Sequence, residues 1–133
     1  MAGNKSERVL VDEWRDILAL HARTLCELDR ALHRHGLGAS DFEVLDVLAE
    51  GAAEDGGAAY RVQEIASRVH LSQSALSRLI ARLEKDELVC RGMCSEDRRG
   101  VRVTLTDKGR AVHAEARPLQ RSVLSRMLNE PRG

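Results

Sequence analysis

Ser72, Gln73, Ser74, Ser77, Arg78 and Arg82 fall within one short, acid-free run of the chain. Hydroxyls, a carboxamide and guanidinium groups are the side chains that hydrogen-bond to base edges and phosphates. A merely solvated helix surface would be expected to carry more Glu and Lys. Gln73 can pair with adenine and Arg78 with guanine, each through two hydrogen bonds, and small serines let a backbone come close to a groove. A second basic group follows at Asp97-Arg98-Arg99-Gly100. A narrow minor groove concentrates negative potential and attracts inserted arginine, which suits Arg98 and Arg99. Asp97 would itself repel phosphate. Its carboxylate is expected to pair with Arg99 or an arginine nearby and brace the guanidinium fork.

The elements around these residues would hold them in place. Val62, Ile65, Ala66 and Val69 recur at helical spacing, which predicts a helix over about 62–69. His70-Leu71 is a short link. Ser72 can accept a bond from a backbone N–H at the start of a second helix, whose Leu76, Leu79, Ile80 and Leu83 form one apolar stripe. The six polar residues are then its wet side. Leu88-Val89-Cys90 and Val101-Arg102-Val103-Thr104-Leu105 alternate and are rich in branched residues, as two strands would be. The polar stretch 94–100 between them makes the strands a hairpin with the arginines at its tip. Tyr60-Arg61-Val62 is a candidate for a short strand beside it. A helix, a turn, a second helix and a basic ribbon is the order of parts that seats a helix in the DNA major groove and a finger in the neighbouring minor groove.

The run EIASRVHLSQSALSRLIARLEKDELV, the DRRG tip and VTLTDKGR together resemble the MarR family of winged-helix transcriptional regulators, most strongly from about Arg61 to Arg110. The resemblance implies a mainly α fold with a small β-hairpin wing: a winged helix-turn-helix at 40–105 between dimerisation helices at 10–36 and 106–130, all in one domain over 1–133. It further implies a homodimer on a palindromic operator in double-stranded DNA, usually a repressor, often released by a small molecule or by thiol oxidation. By position it places DNA contacts on Ser72, Gln73, Ser74, Ser77, Arg78 and Arg82 of the second helix, and on Arg98 and Arg99 of the wing. It also suggests a hydrophobic effector pocket between the dimer region and the winged helix, near Trp14, His21 and Phe42.

The flanks supply what a dimer needs. Val11, Trp14, Leu18, His21, Leu25, Leu28 and Leu32 recur by three and four residues, an apolar seam about 33 Å long that a domain this small is not expected to cover alone. Thr106 should cap a helix bearing Ala111, Val112 and Ala114, Pro118 should end or kink it, and after Pro118 the pattern resumes with Leu119, Val123, Met127 and Leu128. Val11, Trp14, Leu18, Leu25, Leu119, Val123 and Met127 are the expected dimer contacts. Between the flanks, Ser40-Asp41-Phe42-Glu43 reads as a capping box opening another helix, and Gly36 and Gly38 separate it from the first.

Composition agrees. The chain has 133 residues, 43% apolar, with one Trp, one Tyr and one Phe, so its core must be mostly aliphatic. Net charge is zero, but its distribution is uneven: residues 1–60 hold 6 basic and 12 acidic side chains, and residues 61–102 hold 9 and 6. A local basic footprint on an otherwise acidic protein predicts binding that weakens steeply with salt. No nucleophile elbow, phosphate loop or compact metal motif is present, so an enzyme is not expected, nor is a cofactor. No signal peptide or bilayer-length apolar stretch occurs, which predicts a cytoplasmic protein, nucleoid-associated when bound.

Three thiols, Cys26, Cys90 and Cys94, are expected to be reduced and free, and Cys90 and Cys94 lie about 13 Å apart along an extended strand, beyond disulfide reach. His21, His33, His35 and His113 match no compact ligand set, and no metal site is expected. The alternatives are a thiol- or metal-responsive winged-helix regulator, or a winged-helix module that binds protein instead of DNA. The latter would be expected to expose apolar anchors where this chain places Arg98 and Arg99.

Overall fold

A computed structural model describes residues 4–54, 60–93 and 101–129. The chain is mainly α-helical with one small antiparallel sheet. Helix α1 spans Glu7–Leu32, and a 3-10 turn at His33–His35 follows; then come α2 (Ala39–Glu54), β1 (Tyr60–Arg61), α3 (Val62–Val69), α4 (Gln73–Lys85), β2 (Val89–Met93), β3 (Val101–Leu105) and α5 (Asp107–Asn129). No helix among the described residues is long and apolar enough to cross a membrane.

α2 is the centre of the molecule. Phe42, Val44, Leu45, Val47 and Leu48 are all buried, as are Asp41 and Asp46, so the helix is enclosed nearly all round and packs against α1, α3, α5 and the sheet. Its start differs from the expected capping box. The helix begins at Ala39, and Gly38 has no side chain to cap it. Asp41 supplies the bond by reaching back, its Oδ2 accepting the Gly38 N–H at 2.7 Å, while Asp29 of α1 accepts the Ala39 N–H at 2.7 Å. Gly36, at φ 71°, adopts the left-handed conformation that ends the preceding turn.

α1 opens four residues earlier than the apolar seam suggested, because Ser6 caps it, its Oγ accepting the Val9 N–H at 3.2 Å. Only Leu28 and Leu32 are buried. Leu25 is half-buried and packs on the core with them, so the lower half of the seam is closed by this chain's own α5 and α2. The upper half stands open, with Val9, Leu10, Trp14, Ile17 and Leu18 exposed and Val11 half-buried. His21, on the same seam, is exposed too.

α5 does not end at Pro118, one of the two outcomes expected there. It runs unbroken through Pro118. Pro118 removes one N–H, that which would bond the Ala114 carbonyl, and both residues are exposed. His113 and Ala116 before it, and Gln120 and Val123 after it, are buried along one face, and that packing on both sides holds the helix together. Val123, 4% exposed, is already covered within the chain and offers a partner little surface; Leu119 and Met127 are half-buried.

The sheet has the order β1-β3-β2, with Tyr60 opposite Val103 and, across the hairpin, Val89 opposite Leu105 and Met93 opposite Val101. Val89, Val103 and Leu105 turn inward, whereas Cys90 and Thr104 face out. The hairpin is fastened to α5 by the Leu-Thr-x-x-Gly run. Thr106 Oγ1 donates to the Glu87 carbonyl at 2.6 Å and accepts the Gly109 N–H at 2.9 Å. Gly109 lies so close to β2 that a Cβ there would stand 2.0 Å from the Leu88 carbonyl oxygen.

Candidate nucleic-acid interface

α3 and α4 form the helix-turn-helix. Arg61 donates its backbone N–H to Glu64 Oε1 at 2.9 Å, which starts α3, and His70, at φ 57°, ends it in the left-handed conformation with its N–H on the Ala66 carbonyl. The chain then re-enters helix at once, because Ser72 is extended and its Oγ accepts the Ala75 N–H at 3.2 Å. These local signals bring the two helices to one small unit, with Ile65, Leu76, Leu79, Ile80 and Leu83 buried beneath it.

Burying that stripe turns the other side of α4 outward. Ser72, Gln73, Ser74, Ser77, Arg78 and Arg82 are all exposed, so the six residues singled out by type share one accessible surface. Ser74, Arg78 and Arg82 are spaced by four and stack in one row. Arg78 is exposed and forms no ion pair with a described acid. Arg82 is different. Its Nη2 is ion-paired with Asp41 Oδ1, a carboxylate of α2 that is 5% exposed. The pairing spans 41 residues of sequence, and no local pattern announces it.

A second ion pair binds α4 to the sheet. Glu84 Oε1 accepts from Arg91 Nε at 3.2 Å and Nη2 at 3.0 Å, and Oε2 accepts the Arg91 backbone N–H at 3.3 Å. Hydrogen bonding to Arg91 holds the Glu84 carboxyl below its ordinary range. The residues that join β2 to β3 include Asp97, Arg98, Arg99 and Cys94, and all of them lie outside the described residues.

Behind the helix-turn-helix, α2 meets α5 through a polar cluster. His113 Nε2 lies 2.7 Å from Asp46 Oδ1, and its ring stacks on Phe42 with centroids 5.3 Å apart. Arg121 donates to both Asp46 oxygens, each at 3.1 Å. Burial pushes the Asp46 carboxyl up, but the His113 bond and the Arg121 guanidinium outweigh it and leave the group below its ordinary range. Glu43 moves the other way: burial, with Asp46 beside it, raises its carboxyl, which accepts from Gln120 Nε2 at 3.2 Å. His113 thus has a structural partner. Among the described residues no group of His, Cys, Asp and Glu is placed to hold a metal ion; Cys26 and Cys90 are exposed free thiols.

A helix-turn-helix followed by an antiparallel hairpin, carried between two long helices, defines a winged-helix protein. Residues 57–101 match the MarR family model; this segment is a MarR-family winged helix, and the surrounding fold is that of MarR-family regulators. The fold is similar to that of AbsC, a MarR family transcriptional regulator from Streptomyces coelicolor, at 28% identity and a TM-score of 0.78 over 95% of this chain and 82% of that one. It is also similar to the transcriptional regulator MosR from M. tuberculosis, solved in complex with DNA, at 26% identity and a TM-score of 0.67 over 96% and 84% of the two chains. In sequence, the chain is 27% identical over 82 residues to the HTH-type transcriptional regulator MhqR of Bacillus subtilis; the match covers 62% of this chain and about half, 52%, of that protein.

Proposed function

We propose that this chain is a DNA-binding transcriptional regulator that recognises a palindromic operator in double-stranded DNA as a homodimer, acts as a repressor, and responds to a small-molecule effector. The observation that carries the reading is the exposed face of α4. Ser72, Gln73, Ser74, Ser77 and Arg78 sit on a helix whose opposite stripe is buried, in the position from which a helix-turn-helix enters the major groove. The similarity to MosR, solved with DNA, supports it. Arg98 and Arg99, braced by Asp97, are assigned to the minor groove beside it.

The homodimer rests on the open half of α1. Trp14 is 58% exposed, with Val9, Leu10, Ile17 and Leu18 exposed near it and Leu128 exposed on α5. An apolar face of that extent calls for a partner, and a second copy brings a matching face. Two recognition helices would then stand about 34 Å apart, one turn of duplex. The test is selection of bound sequences from a random duplex pool by the purified protein with its thiols reduced and no added compound. A palindromic consensus is expected; equal binding of all duplexes at moderate salt overturns the reading.

A further inference from the structure

Two carboxylates converge on the start of α2. Asp29 of α1 and Asp41 of α2 accept the neighbouring Ala39 and Gly38 N–H groups, so a Cβ at Gly38 would stand 3.4 Å from one and 3.5 Å from the other. Asp41 spends only one oxygen on Gly38. The other holds Arg82 of α4, whose side chain remains 59% exposed. An arginine carries five N–H donors, and the bond to Asp41 leaves the rest of the fork free to face outward. One row of α4 therefore ends in a guanidinium fixed from behind by a buried acid, while Arg78 and Ser74 lie one and two turns earlier on the same row.

We propose that Asp41 is a positioning residue for DNA recognition: by holding Arg82 it fixes the seating of α4 on α2, so that the base-reading residues earlier on the helix meet the groove in one register. This rests on the DNA-binding reading above. Core packing alone leaves a helix some freedom to rock about its buried stripe, and a charge-assisted bond at one edge of that stripe removes it. The Glu84–Arg91 pair ties the same end of α4 to the sheet, so the helix is held on both sides. Through Asp29 and Ala39 the tie continues to α1, the helix assigned to the dimer contact.

The sign of the effect separates this role from that of a bystander. A carboxylate near DNA that did nothing else would repel phosphate, and its removal would tighten binding to every duplex. A positioning carboxylate gives a loss confined to the operator. The experiment measures the affinity of the full chain for the duplex selected above and for an unrelated duplex of equal length, with wild type, Asp41→Asn, Arg82→Gln and the double variant. Asp41→Asn retains a side-chain oxygen for the Gly38 N–H, and thermal melting checks that it folds. The ratio of operator to unrelated affinity is expected to fall about tenfold in each single variant, and no further in the double variant, because both act through one contact.

An unchanged ratio in Asp41→Asn, an equal shift on both duplexes, or additive losses in the double variant would overturn the proposal. Should Asp41→Asn fail to fold, Arg82→Gln reads the same contact from a mostly exposed side chain, and an unchanged ratio there is equally fatal. A wild-type protein with no duplex preference is a separate result: it removes the DNA-binding reading itself, and this inference with it.

Discussion

His113 and Asp46 meet across the joint between α5 and α2, Nε2 to Oδ1 at 2.7 Å, with Arg121 closing on the same carboxylate from about two turns of helix further along. A buried acceptor shared by two cationic or polar partners is costly to neutralise, because its removal leaves donors without an acceptor. Asp46→Asn is expected to lower stability by about 1–3 kcal/mol in chemical denaturation. Arg121→Gln should cost less, since that side chain is one-third exposed and water can replace it. Equal stability of Asp46→Asn and wild type would show that the cluster is incidental.

The same cluster sets opposite pH dependences on neighbouring turns of α2. The Asp46 carboxyl is held below its ordinary range, so its contribution is complete above the ordinary aspartate value and is lost as pH falls through the folded value, on the acid side of about pH 4. Glu43 is raised, so the fold favours its neutral form; its contribution is complete below the ordinary glutamate value and is lost as pH rises through the folded one. Glu43→Gln, which keeps an oxygen for Gln120, should raise the melting temperature by about 2 °C at neutral pH. By about pH 4 the gain should vanish. Calorimetry across that range checks the sign, and a variant less stable than wild type at pH 7 contradicts it.

Trp14 tests the proposed dimer without touching the core. Trp14→Glu places a charge in the middle of the exposed apolar face of α1, and burial of that charge against a second copy should cost association about 2 kcal/mol or more. Sedimentation is expected to show a shift from dimer to monomer with little change in helix content. A wild-type protein that sediments as a monomer at micromolar concentration would remove the dimer assignment.

If the exposed face of α4 reads DNA as proposed, its residues should divide into base readers and phosphate anchors. Gln73→Ala and Arg78→Ala should each cost about 1–3 kcal/mol on the selected duplex and relax preference at a defined position, as loss of a bidentate base contact does. An anchoring residue would weaken all duplexes alike and reduce the salt dependence by about one counterion. Competition binding at two salt concentrations distinguishes the two outcomes residue by residue.

Much of this molecule could be read from local sequence, and the reasons are specific. α3 comes out at Val62–Val69, as the apolar spacing indicated, because it is bounded by residues that act on their own neighbours: Glu64 on Arg61, and His70 in a left-handed turn. Ser72 and Thr106 likewise cap the helices that follow them by bonds three residues long. What was illegible depends on distant partners. α2 starts at Ala39 because Asp29, ten residues back, accepts its N–H, so the Ser40 box misplaced the boundary. α5 survives Pro118 because its buried face packs on other helices. The apolar seam of α1 reads as one stripe, yet half of it is closed by α5 of the same chain, a division that periodicity cannot express. Arg82 has the residue type of a phosphate contact, and only the fold reveals Asp41 behind it.

Gly109 gives the joint between hairpin and last helix an unusual stiffness. With only a hydrogen where any other residue has carbon, backbone lies directly on the Leu88 carbonyl, and Thr106 is bonded on both sides of the seam. Helices elsewhere in the fold meet one another through side chains that can rotate to absorb a small displacement; here backbone meets backbone. A tilt of α5 is therefore expected to carry through to the base of the hairpin, which would make the last helix a handle on the ribbon.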